Sequence, residues 1–404
     1  MPWTQHSALE MRTRFIADAL NGRYKSHAEL CRHYNVSRKT GYKWLKRYEE
    51  LEWPGLLDRS HRPQACPHET PDEVVLALLE MRRKHPTWGA KKLLTVLGKR
   101  HPDWELPARS TAHDILRRNG LVDRKRRRPR FGHPGRSRST AGRPNDLWTA
   151  DFKGQFRMKN GVYCYPLTVA DSFSRFFLGC DALLSTREAD TIRCFKRIFE
   201  EYGLPDRIRT DNGVPFATYS LARLSRLAVW WMRLGIRREL IEPGKPQQNG
   251  AHERMHKTLK AETTRPPENN QRAQQRRFDS FRDTYNHERP HESLDQETPG
   301  SLYEPASRTY PDRLPTVEYP GHFEVRKVSA NGGVRWKGRF LNLSTVLLRE
   351  YVGFEEVDDG LWTVYYSTTE LGRFDEHTFR ITDLQGDEYR KPHQSRHPRP
   401  GPEV

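Results

Sequence analysis

The sequence predicts a multidomain α/β protein with helical units at the N-terminus, a mixed α/β core and a small C-terminal β-barrel. Three observations support this prediction. Residues 9–50 contain short capped helices joined by a compact turn. From Leu147 onward, three alternating strands precede helices that alternate with strands, and after Pro299 short strands are separated by Gly and Asn turns. Because 404 residues are too many for one hydrophobic core, the chain should divide into several domains.

The composition favours a polyanionic partner. Lys and Arg number 70 against 52 Asp and Glu, which gives a net charge of +18 and a sequence pI near 9.8. A protein this basic is expected to bind nucleic acid. A membrane partner is not expected, because the sequence has no run of about 18 apolar residues and begins without a signal-peptide pattern. The five cysteines form no Cys-x-x-Cys pair, so we expect reduced thiols and a cytoplasmic location.

The first helical unit is predicted to span 1–60 and to form a helix-turn-helix. Ser26 and Glu29 fit a capping box, Asn35-Val36 makes a turn, and Ser37 caps the next helix. That helix opens with basic residues, where a recognition helix would meet DNA. An ordinary helical bundle with a solvated basic face is the alternative. The candidate DNA-contacting residues are Arg38, Lys39, Thr40 and Lys43.

A second helix-turn-helix, with winged-helix-like proportions, is predicted over 61–122. Trp88-Gly89 opens one of its helices and Asn119-Gly120 closes the last. A purely structural bundle is the alternative. The residues placed to face DNA at the start of the last helix are Arg109, Ser110 and His113.

The segment 123–145 is predicted to be a basic linker. Residues 124–143 contain nine Lys and Arg and no acid, interleaved with Pro, Gly and Ser, which leaves little apolar surface for a core. We expect the linker to follow DNA phosphates, and a plain solvated linker is the alternative. Its candidate DNA-contacting residues are Arg126, Arg127 and Arg128.

Two aspartates of the predicted core stand in matching strand contexts. Asp151 lies in the strand Leu147–Phe152, and Asp211 ends a short strand that follows the helix predicted over 186–202. An Asn-Gly turn comes directly after Asp211. Because α/β sheets bind ligands at the carboxyl edge of their strands, both carboxylates are predicted to serve a site there. For Asp211 alone, a turn that ends a strand is the alternative.

Four motifs, in this order, resemble the catalytic core of DDE transposases from bacterial insertion sequences and of retroviral integrases. They are Trp148-Thr149-Ala150-Asp151, Thr210-Asp211-Asn212-Gly213, Pro246-Gln247-Gln248-Asn249-Gly250-Ala251-His252-Glu253 and Tyr285-Asn286-x-x-Arg289-Pro290-His291. The resemblance covers residues 145–300 and implies a ribonuclease H-like mixed α/β core domain over 146–305. The twin helix-turn-helix units fit the insertion-sequence branch, which implies a bacterial, nucleoid-associated protein. A small β-barrel is predicted over 315–385 and a disordered tail over 386–404.

The resemblance implies that Asp151, Asp211 and Glu253 are the catalytic and metal-binding residues. They would hold two Mg²⁺ ions, which Mn²⁺ can replace, because hard divalent cations prefer oxygen ligands. The implied reaction is hydrolysis at the 3′ ends of a mobile element, followed by attack of the 3′-hydroxyls on target DNA. The implied partners are double-stranded DNA, from the element ends and the target, and further copies of the chain in a synaptic complex. The positions that match those holding the element end are Lys257 and Lys260, and Asn249 is a further candidate DNA contact because Asn249-Gly250 would let DNA approach.

The spacing of the third acid departs from the family pattern. Between Asp211 and Glu253 lie 41 residues, which is longer than the usual interval. Distance alone favours Glu242, and Glu239 in the preceding strand also competes, whereas the surrounding motif favours Glu253. We attribute the extra residues to a longer helix around Leu221 to Trp231 and expect that helix to be peripheral.

Two other functions stay open at this point. A non-catalytic DNA-binding regulator would use the helix-turn-helix units alone, but it has no use for three carboxylates in these contexts. A ribonuclease H-like nuclease would cut DNA without joining it, and its sequence would look the same.

Overall fold

The structure is a computed structural model that describes residues 7–58, 69–122, 140–242, 250–384, 386–387 and 389. The chain forms two compact units, Met1–Glu69 and Thr70–Val404. Most of the predicted linker lies outside the described residues, as does almost all of the predicted tail. The predicted DNA-contacting residues outside them are Arg126, Arg127, Arg128 and Asn249.

The first unit consists of three helices and a short 3-10 turn. Its elements are α1 (Ala8–Leu20), α2 (His27–His33), α3 (Arg38–Leu51) and the turn Trp53–Leu56. Phe15, Leu30 and Leu56 are buried between the helices. Asn35, with φ +52°, turns the chain between α2 and α3. The predicted pair of helices joined by a compact turn is therefore confirmed.

Serine caps fix the start of both helices of this pair. The Ser37 hydroxyl accepts a hydrogen bond from the Thr40 amide at 3.1 Å. The Ser26 hydroxyl accepts one from the Glu29 amide at 3.3 Å. The predicted capping box is only half formed, because the Glu29 carboxylate accepts from the Lys25 amide instead of the Ser26 amide. Each serine cap stabilises its helix by about 0.5–2 kcal/mol.

Gly41 allows α3 to pack closely on α2. A Cβ atom at this position would lie 2.5 Å from the Cys31 Sγ and 2.9 Å from the His27 ring. The missing side chain therefore sets the distance between the two helices, and the basic residues at the start of α3 stay on the exposed face.

The second unit begins with a three-helix domain. Its helices are α4 (Asp72–Lys84), α5 (Ala90–Arg100) and α6 (Arg109–Arg118). Trp88, Leu93 and Leu116 are buried in a core that belongs to this domain alone. The predicted end at Asn119-Gly120 is confirmed, because Gly120 has φ +71°, a left-handed conformation that glycine adopts without a steric penalty.

The next domain is built on a six-stranded mixed sheet. Its strands are β1 (Leu147–Phe152), β2 (Phe156–Arg157), β3 (Tyr163–Asp171), β4 (Phe177–Leu183), β5 (Arg207–Thr210) and β6 (Arg237–Leu240). β3 pairs antiparallel with β1, β2 and β4, whereas β5 runs parallel to β1 and to β6. The predicted mixed sheet is confirmed, and the strands of the two predicted aspartates, β1 and β5, are neighbours.

Helices cover both faces of this sheet. They are α7 (Glu188–Tyr202), α8 (Arg226–Arg233), α9 (Gly250–Thr263) and α10 (Gln271–Asp283). Trp148, Phe195 and Trp231 pack on the face covered by α7 and α8. Leu259 and Phe278 pack on the opposite face, under α9 and α10. In the part of the chain that the structure describes, no helix is both long and apolar enough to cross a bilayer.

The predicted motif Tyr285–His291 closes the core. The Asn286 Oδ1 accepts from the Phe177 amide at 2.8 Å, and the Asn286 Nδ2 donates to the Phe177 carbonyl at 3.0 Å. This side chain therefore pairs with β4 as a neighbouring strand would. Arg289 Nη1 donates to Glu262 Oε1 at 2.8 Å and ties the motif to α9.

The C-terminal domain contains an open β-sheet. Its strands are β7 (Glu324–Lys327), β8 (Gly333–Trp336), β9 (Arg339–Asn342), β10 (Tyr351–Asp358), β11 (Leu361–Tyr366), β12 (Thr369–Asp375) and β13 (Arg380–Thr382). Five of them form a sheet in the order β13-β12-β11-β10-β7, and β8 pairs with β9. Among the described residues β7 and β13 do not pair with each other, so the predicted closed barrel is not confirmed. Turn signals predict the strands, but closure depends on pairing between the first and last of them.

The C-terminal sheet shares its hydrophobic core with the segment between β5 and β6. Leu221, Leu224 and Met232 are buried in one cluster with Phe354. The segment Leu221–Arg223 is a 3-10 turn, and α8 has 8 residues. The expectation of a lengthened, peripheral helix is therefore wrong, because the extra residues form a loop and a turn whose apolar side chains hold the C-terminal domain.

Leu221→Ala should weaken this shared core. Leu221 is 0% exposed, so its truncation should lower the free energy of unfolding by about 2–5 kcal/mol, measured by urea denaturation. Leu184→Ala is the matched control, because Leu184 is 49% exposed and its truncation should change stability by less than about 0.5 kcal/mol. Equal effects of the two variants would contradict the shared core.

Candidate active site and DNA-facing surfaces

Asp151 lies in β1, close to β3 and α9. Its side chain is 22% exposed, and its Oδ2 lies 3.7 Å from the His256 Nδ1. Burial, together with the negative charges of Asp211 and Glu253, raises the pKa of Asp151 to about 7, against the opposing effect of Lys153. The three predicted acids therefore share one electrostatic environment.

Asp211 follows β5 directly and is oriented by the turn behind it. The Gly213 amide donates to the Asp211 Oδ1 at 3.1 Å. The Asn212 Nδ2 donates to the Ile241 carbonyl at 2.7 Å, which joins this turn to the end of β6. In the parallel register of β1 and β5, residue 149 pairs with residue 209. If this register is continued by two residues, Asp151 lies opposite Asp211, which agrees with the effect of the Asp211 charge on the pKa of Asp151.

Glu253 lies in the first turn of α9 with an exposed side chain. Lys257 and Lys260 are also exposed, one and two turns further along. Residues spaced by three or four positions share one face of a helix. The acid and the two lysines therefore form one face of α9, as predicted.

Two histidines fasten α9 to β1 and β3. The Nε2 atoms of His252 and His256 both lie 2.7 Å from the Thr168 Oγ1. The His252 Nδ1 lies 2.8 Å from the Thr149 Oγ1. The Thr168 hydroxyl also donates to the Asp151 carbonyl at 2.9 Å. This network joins the backbone of one predicted acid to the helix that carries another.

The single hydroxyl proton of Thr168 determines where the other protons lie. Because that proton goes to the Asp151 carbonyl, both histidine Nε2 atoms must carry protons and donate to the Thr168 oxygen. Burial lowers the pKa of His252 to about 3 and that of His256 to about 2. Both rings are therefore neutral near pH 7, and they hold α9 in place without adding positive charge beside Asp151.

The role of these histidines was not predicted. The sequence does contain a pattern that could have predicted it, because His252 and His256 stand four residues apart on a predicted helix and so lie on one face. The partners on β1 and β3 carried no such signal, since their contact with α9 depends on how the helix packs on the sheet.

Glu239 is engaged elsewhere. Its Oε1 accepts from the Arg209 Nε at 2.7 Å, and its Oε2 lies 3.5 Å from the Arg207 Nη1. A carboxylate paired with two guanidinium groups is a poor metal ligand, so the pairing removes Glu239 from the three competing acids. Glu242 follows β6 and is half-buried.

The predicted ligands of a divalent metal are three carboxylates. Within the described ranges, no group of three or more His, Cys, Asp or Glu side chains is close enough to hold a metal ion. The predicted ligands Asp151, Asp211 and Glu253 are nevertheless coupled through their charges. They offer only carboxylate oxygens, which hard divalent cations prefer, and a cation would offset their mutual repulsion. The chemistry of the donor set therefore fits.

The start of α3 presents the basic surface predicted for the first helix-turn-helix. Arg38, Lys39 and Lys43 are exposed. Thr40 is half-buried, and its hydroxyl lies 2.8 Å from the Ser37 Oγ. Thr40 therefore takes part in the helix cap, and the three cations are the residues free to meet DNA.

The start of α6 is arranged similarly. Arg109, Ser110 and His113 are exposed and line a cleft of about 580 Å³. The other side of this cleft includes Lys92 of α5 and Glu292. The predicted DNA-facing residues of the second helix-turn-helix are thus brought together on one surface.

Thr168→Val should loosen α9. It leaves two imidazole N–H groups and one carbonyl without a partner, at a cost of about 1–3 kcal/mol for each group that stays unsatisfied. Urea denaturation should show the loss, and amide hydrogen exchange in α9 should quicken.

Thr95→Val is the control for this prediction. The Thr95 hydroxyl donates to the Lys91 carbonyl of its own helix at 3.0 Å and is exposed. If Thr168→Val proves as mild as this control, the network does not hold α9.

Comparison with protein families identifies the domains. Two family models described as an integrase core domain match residues 141–246 and 234–299. A helix-turn-helix domain matches residues 11–64, and a homeodomain-like domain matches residues 40–116. The helix-turn-helix and homeodomain-like models thus match the N-terminal part of the chain, and the integrase core models match the part after it. Integrase core domains generally use divalent metal ions.

Similar proteins come from insertion elements and retroviruses. An uncharacterized protein of insertion element IS476 from Xanthomonas euvesicatoria is 27% identical over 256 residues, which are 61% of this chain and 69% of the relative. One of insertion element IS407 from Burkholderia multivorans is 25% identical over 240 residues, 57% of this chain and 81% of the relative. A structure of the HTLV-2 integrase catalytic core domain in complex with magnesium covers 40% of this chain and 99% of that domain, with 16% identity and a TM-score of 0.31. The resemblance to DDE transposases of insertion sequences is thereby confirmed, since the chain joins helix-turn-helix domains to an integrase core domain and is related to insertion-element proteins.

Proposed function

We propose that the protein binds the terminal repeats of a mobile element, cleaves its 3′ ends and joins them to target DNA. The observation that carries this proposal is the half-buried carboxyl of Asp151, whose ionisation is opposed by burial and by the charges of Asp211 and Glu253. The charges of the two neighbouring acids oppose the ionisation of Asp151, whereas a divalent cation bound among the three carboxylates would favour it.

Asp151, Asp211 and Glu253 would hold two Mg²⁺ ions, or Mn²⁺ in their place. When bound, such ions activate the attacking oxygen of a phosphodiester displacement and stabilise the leaving one. The protein's part is orientation. The Gly213 amide holds the Asp211 carboxylate, and the Thr168 network holds α9 and with it Glu253.

The DNA partners follow from the exposed cations. Lys257 and Lys260 share a face of α9 with Glu253 and suit the phosphates of the element end, and Asn249 is a further candidate DNA contact. The cations at the start of α3 suit the bases or phosphates of the terminal repeat. A linear element has two ends that join one target, so a synaptic complex needs at least two copies of the chain.

A nuclease that cuts without joining would use the same carboxylates. A duplex whose 3′ end is already free separates the two functions. Incubated with this substrate and a plasmid, a transposase yields joined products, whereas a nuclease yields only shorter strands. The helix-turn-helix domains and the insertion-element relatives favour joining.

Glu253→Gln should abolish Mg²⁺-dependent cleavage, lowering its rate by several orders of magnitude, because a carboxamide is a poor ligand for a hard cation. DNA binding should persist. The rise in melting temperature that Mg²⁺ gives the unmodified protein should shrink, since ligand binding stabilises the folded state. Cleavage of end-labelled duplex and thermal melts with and without Mg²⁺ measure both effects.

Glu242→Gln is the matched control and should leave cleavage nearly intact. If the two variants behave the other way round, Glu242 is the third ligand and the assignment to α9 is wrong. If neither variant matters while cleavage depends on Mg²⁺, the two aspartates recruit a different acid.

Arg38→Ala should weaken binding to the terminal repeat by about 1–3 kcal/mol if Arg38 reads a base edge. The control is Lys46→Ala, on the same helix, whose Nζ lies 3.8 Å from Glu50. Fluorescence anisotropy on the repeat and on a scrambled duplex measures the effect. An equal loss on both duplexes would make Arg38 a phosphate contact, and no loss would remove it from the interface.

A further inference from the structure

A groove runs from the start of α6 to α9, between the three-helix domain and the core. Two clefts of about 580 and 460 Å³ share Lys92 and Glu292 in their linings, so the clefts adjoin, and together they form what we call the Lys92 groove. We propose that this Lys92 groove binds the phosphate backbone of the duplex whose bases α6 contacts, beside the α9 face that carries Glu253. The proposal rests on the proposed function in one respect, that this duplex is the element end. The residues on which it depends are Lys92, Arg109, Arg175, Arg254, Arg289 and Glu292.

The groove carries an excess of positive charge. Arg289 is paired with Glu262 at 2.8 Å, and Glu292 is paired with Lys91 at 3.1 Å. The remaining cations have no such partner, since no other described residue forms a hydrogen bond or ion pair with their side chains. They are Lys92, Arg109, Arg175 and Arg254.

Burial and mutual repulsion make the charged forms of these cations less favourable. Burial and the nearby Arg289 together lower the pKa of Lys92 to about 8, against the opposing effect of Glu262 and Glu292. Burial also lowers the pKa of Arg175, and Arg254 acts in the same direction. Cations that lose water and repel one another are stabilised by an anion placed among them, which points to a ligand and not to a structural role.

The backbone at Arg175 supports this interpretation. Arg175 has φ +65° in the turn between β3 and β4, a left-handed conformation that costs a residue with a side chain about 1–2 kcal/mol. The turn is imposed by Asp171, whose Oδ2 accepts from both the amide and the hydroxyl of Ser174 at 2.7 Å. Asn or Gly would fit this turn with less strain, so the backbone conformation gives no reason for an arginine here.

The shape and chemistry of the groove favour a phosphodiester backbone. Guanidinium groups present paired N–H donors that match phosphate oxygens. The groove is open and much larger than one phosphate, which suits an extended polyanion. Its far end is lined by Arg109, Ser110 and His113, the exposed start of a helix-turn-helix helix, which is the arrangement that meets a duplex.

The groove ends close to the predicted active site. Successive residues of a helix are rotated by about 100°, so Arg254 projects from the face of α9 next to that of Glu253. A helix with its side chains is about 10–12 Å wide. A backbone bound at Arg254 is therefore about one helix width from the acid, and α6 and α9 of one chain would contact the same duplex.

The test uses the full-length protein with Lys92→Gln and Arg254→Gln combined. The control combines Arg272→Gln and Arg276→Gln, which remove two exposed cations from α10. Binding of a scrambled duplex and of an equally long duplex from the DNA flanking the gene is measured over a range of salt concentrations. The groove variant should flatten the slope of log affinity against log salt by about 1.8, or about 0.9 for each lost phosphate contact, and the control should not. The single variant Arg254→Gln should give about half of this effect. Because Arg254 is exposed, this variant should fold normally, so it tests the groove even if the double variant misfolds.

An unchanged slope in the groove variant, or equal flattening in the control, would overturn the proposal. Loss of binding to a polyglutamate peptide, with DNA binding unaffected, would assign the groove to an acidic protein segment and also overturn it. Cleavage of DNA by the unmodified protein is assayed separately. If the protein binds DNA as described but never cuts it, the proposed function is wrong and the assignment of the groove stands. If the protein cuts DNA but the salt slope of the groove variant is unchanged, the assignment of the groove is wrong and the proposed function stands.

Discussion

The hydroxyl of Thr168 is the contact on which the geometry of the site depends. It donates to the Asp151 carbonyl and accepts from His252 and His256, so one oxygen joins β1, β3 and α9. Because both rings come from one face of α9, the bonds fix the rotation of the helix about its axis as well as its distance from the sheet. The directions of the other two faces of α9 are then fixed as well. One of them carries Glu253, Lys257 and Lys260, and the next carries Arg254, which lines the groove. Apolar packing alone would hold the helix against the sheet but would tolerate small rotations, whereas hydrogen bonds to buried polar atoms do not.

The segment after α10 links three parts of the second unit through polar contacts. Asn286 pairs with the backbone of β4, Arg289 reaches Glu262 of α9, and three glutamates of the same segment pair with lysines of the three-helix domain. Those pairs are Lys84–Glu288, Lys91–Glu292 and Lys99–Glu297. Exposed ion pairs contribute only about 0–1 kcal/mol each. Their effect here is therefore to fix an orientation, and the cavity left between the two domains is where the unpaired cations collect.

Local patterns were enough to predict the helices, the mixed sheet and the two aspartates. Capping serines, the helix predicted over 186–202 and strand alternation each depend on neighbours in sequence, and each reappears in the structure. The predictions that the structure did not confirm concern features that depend on tertiary contacts. The residues around Leu221 were predicted to form a peripheral helix. In the structure they are covered by a sheet that lies more than a hundred residues later in the chain, and no pattern near Leu221 indicates this contact. The barrel failed for a related reason, since turns specify neighbouring strands but not the pairing of the first with the last.

The arginines of β5 explain why the acids stay available. Side chains alternate along a strand, so Arg207, Arg209 and Asp211 point to the same side of the sheet. An arginine two residues from Asp211 could pair with it and lower its affinity for a cation. Glu239 of β6 instead accepts from Arg209 and lies near Arg207, which engages both guanidinium groups within the two parallel strands. The carboxylate that the sequence offered as a rival ligand thus has a different use, because it pairs with positive charge that could otherwise pair with Asp211.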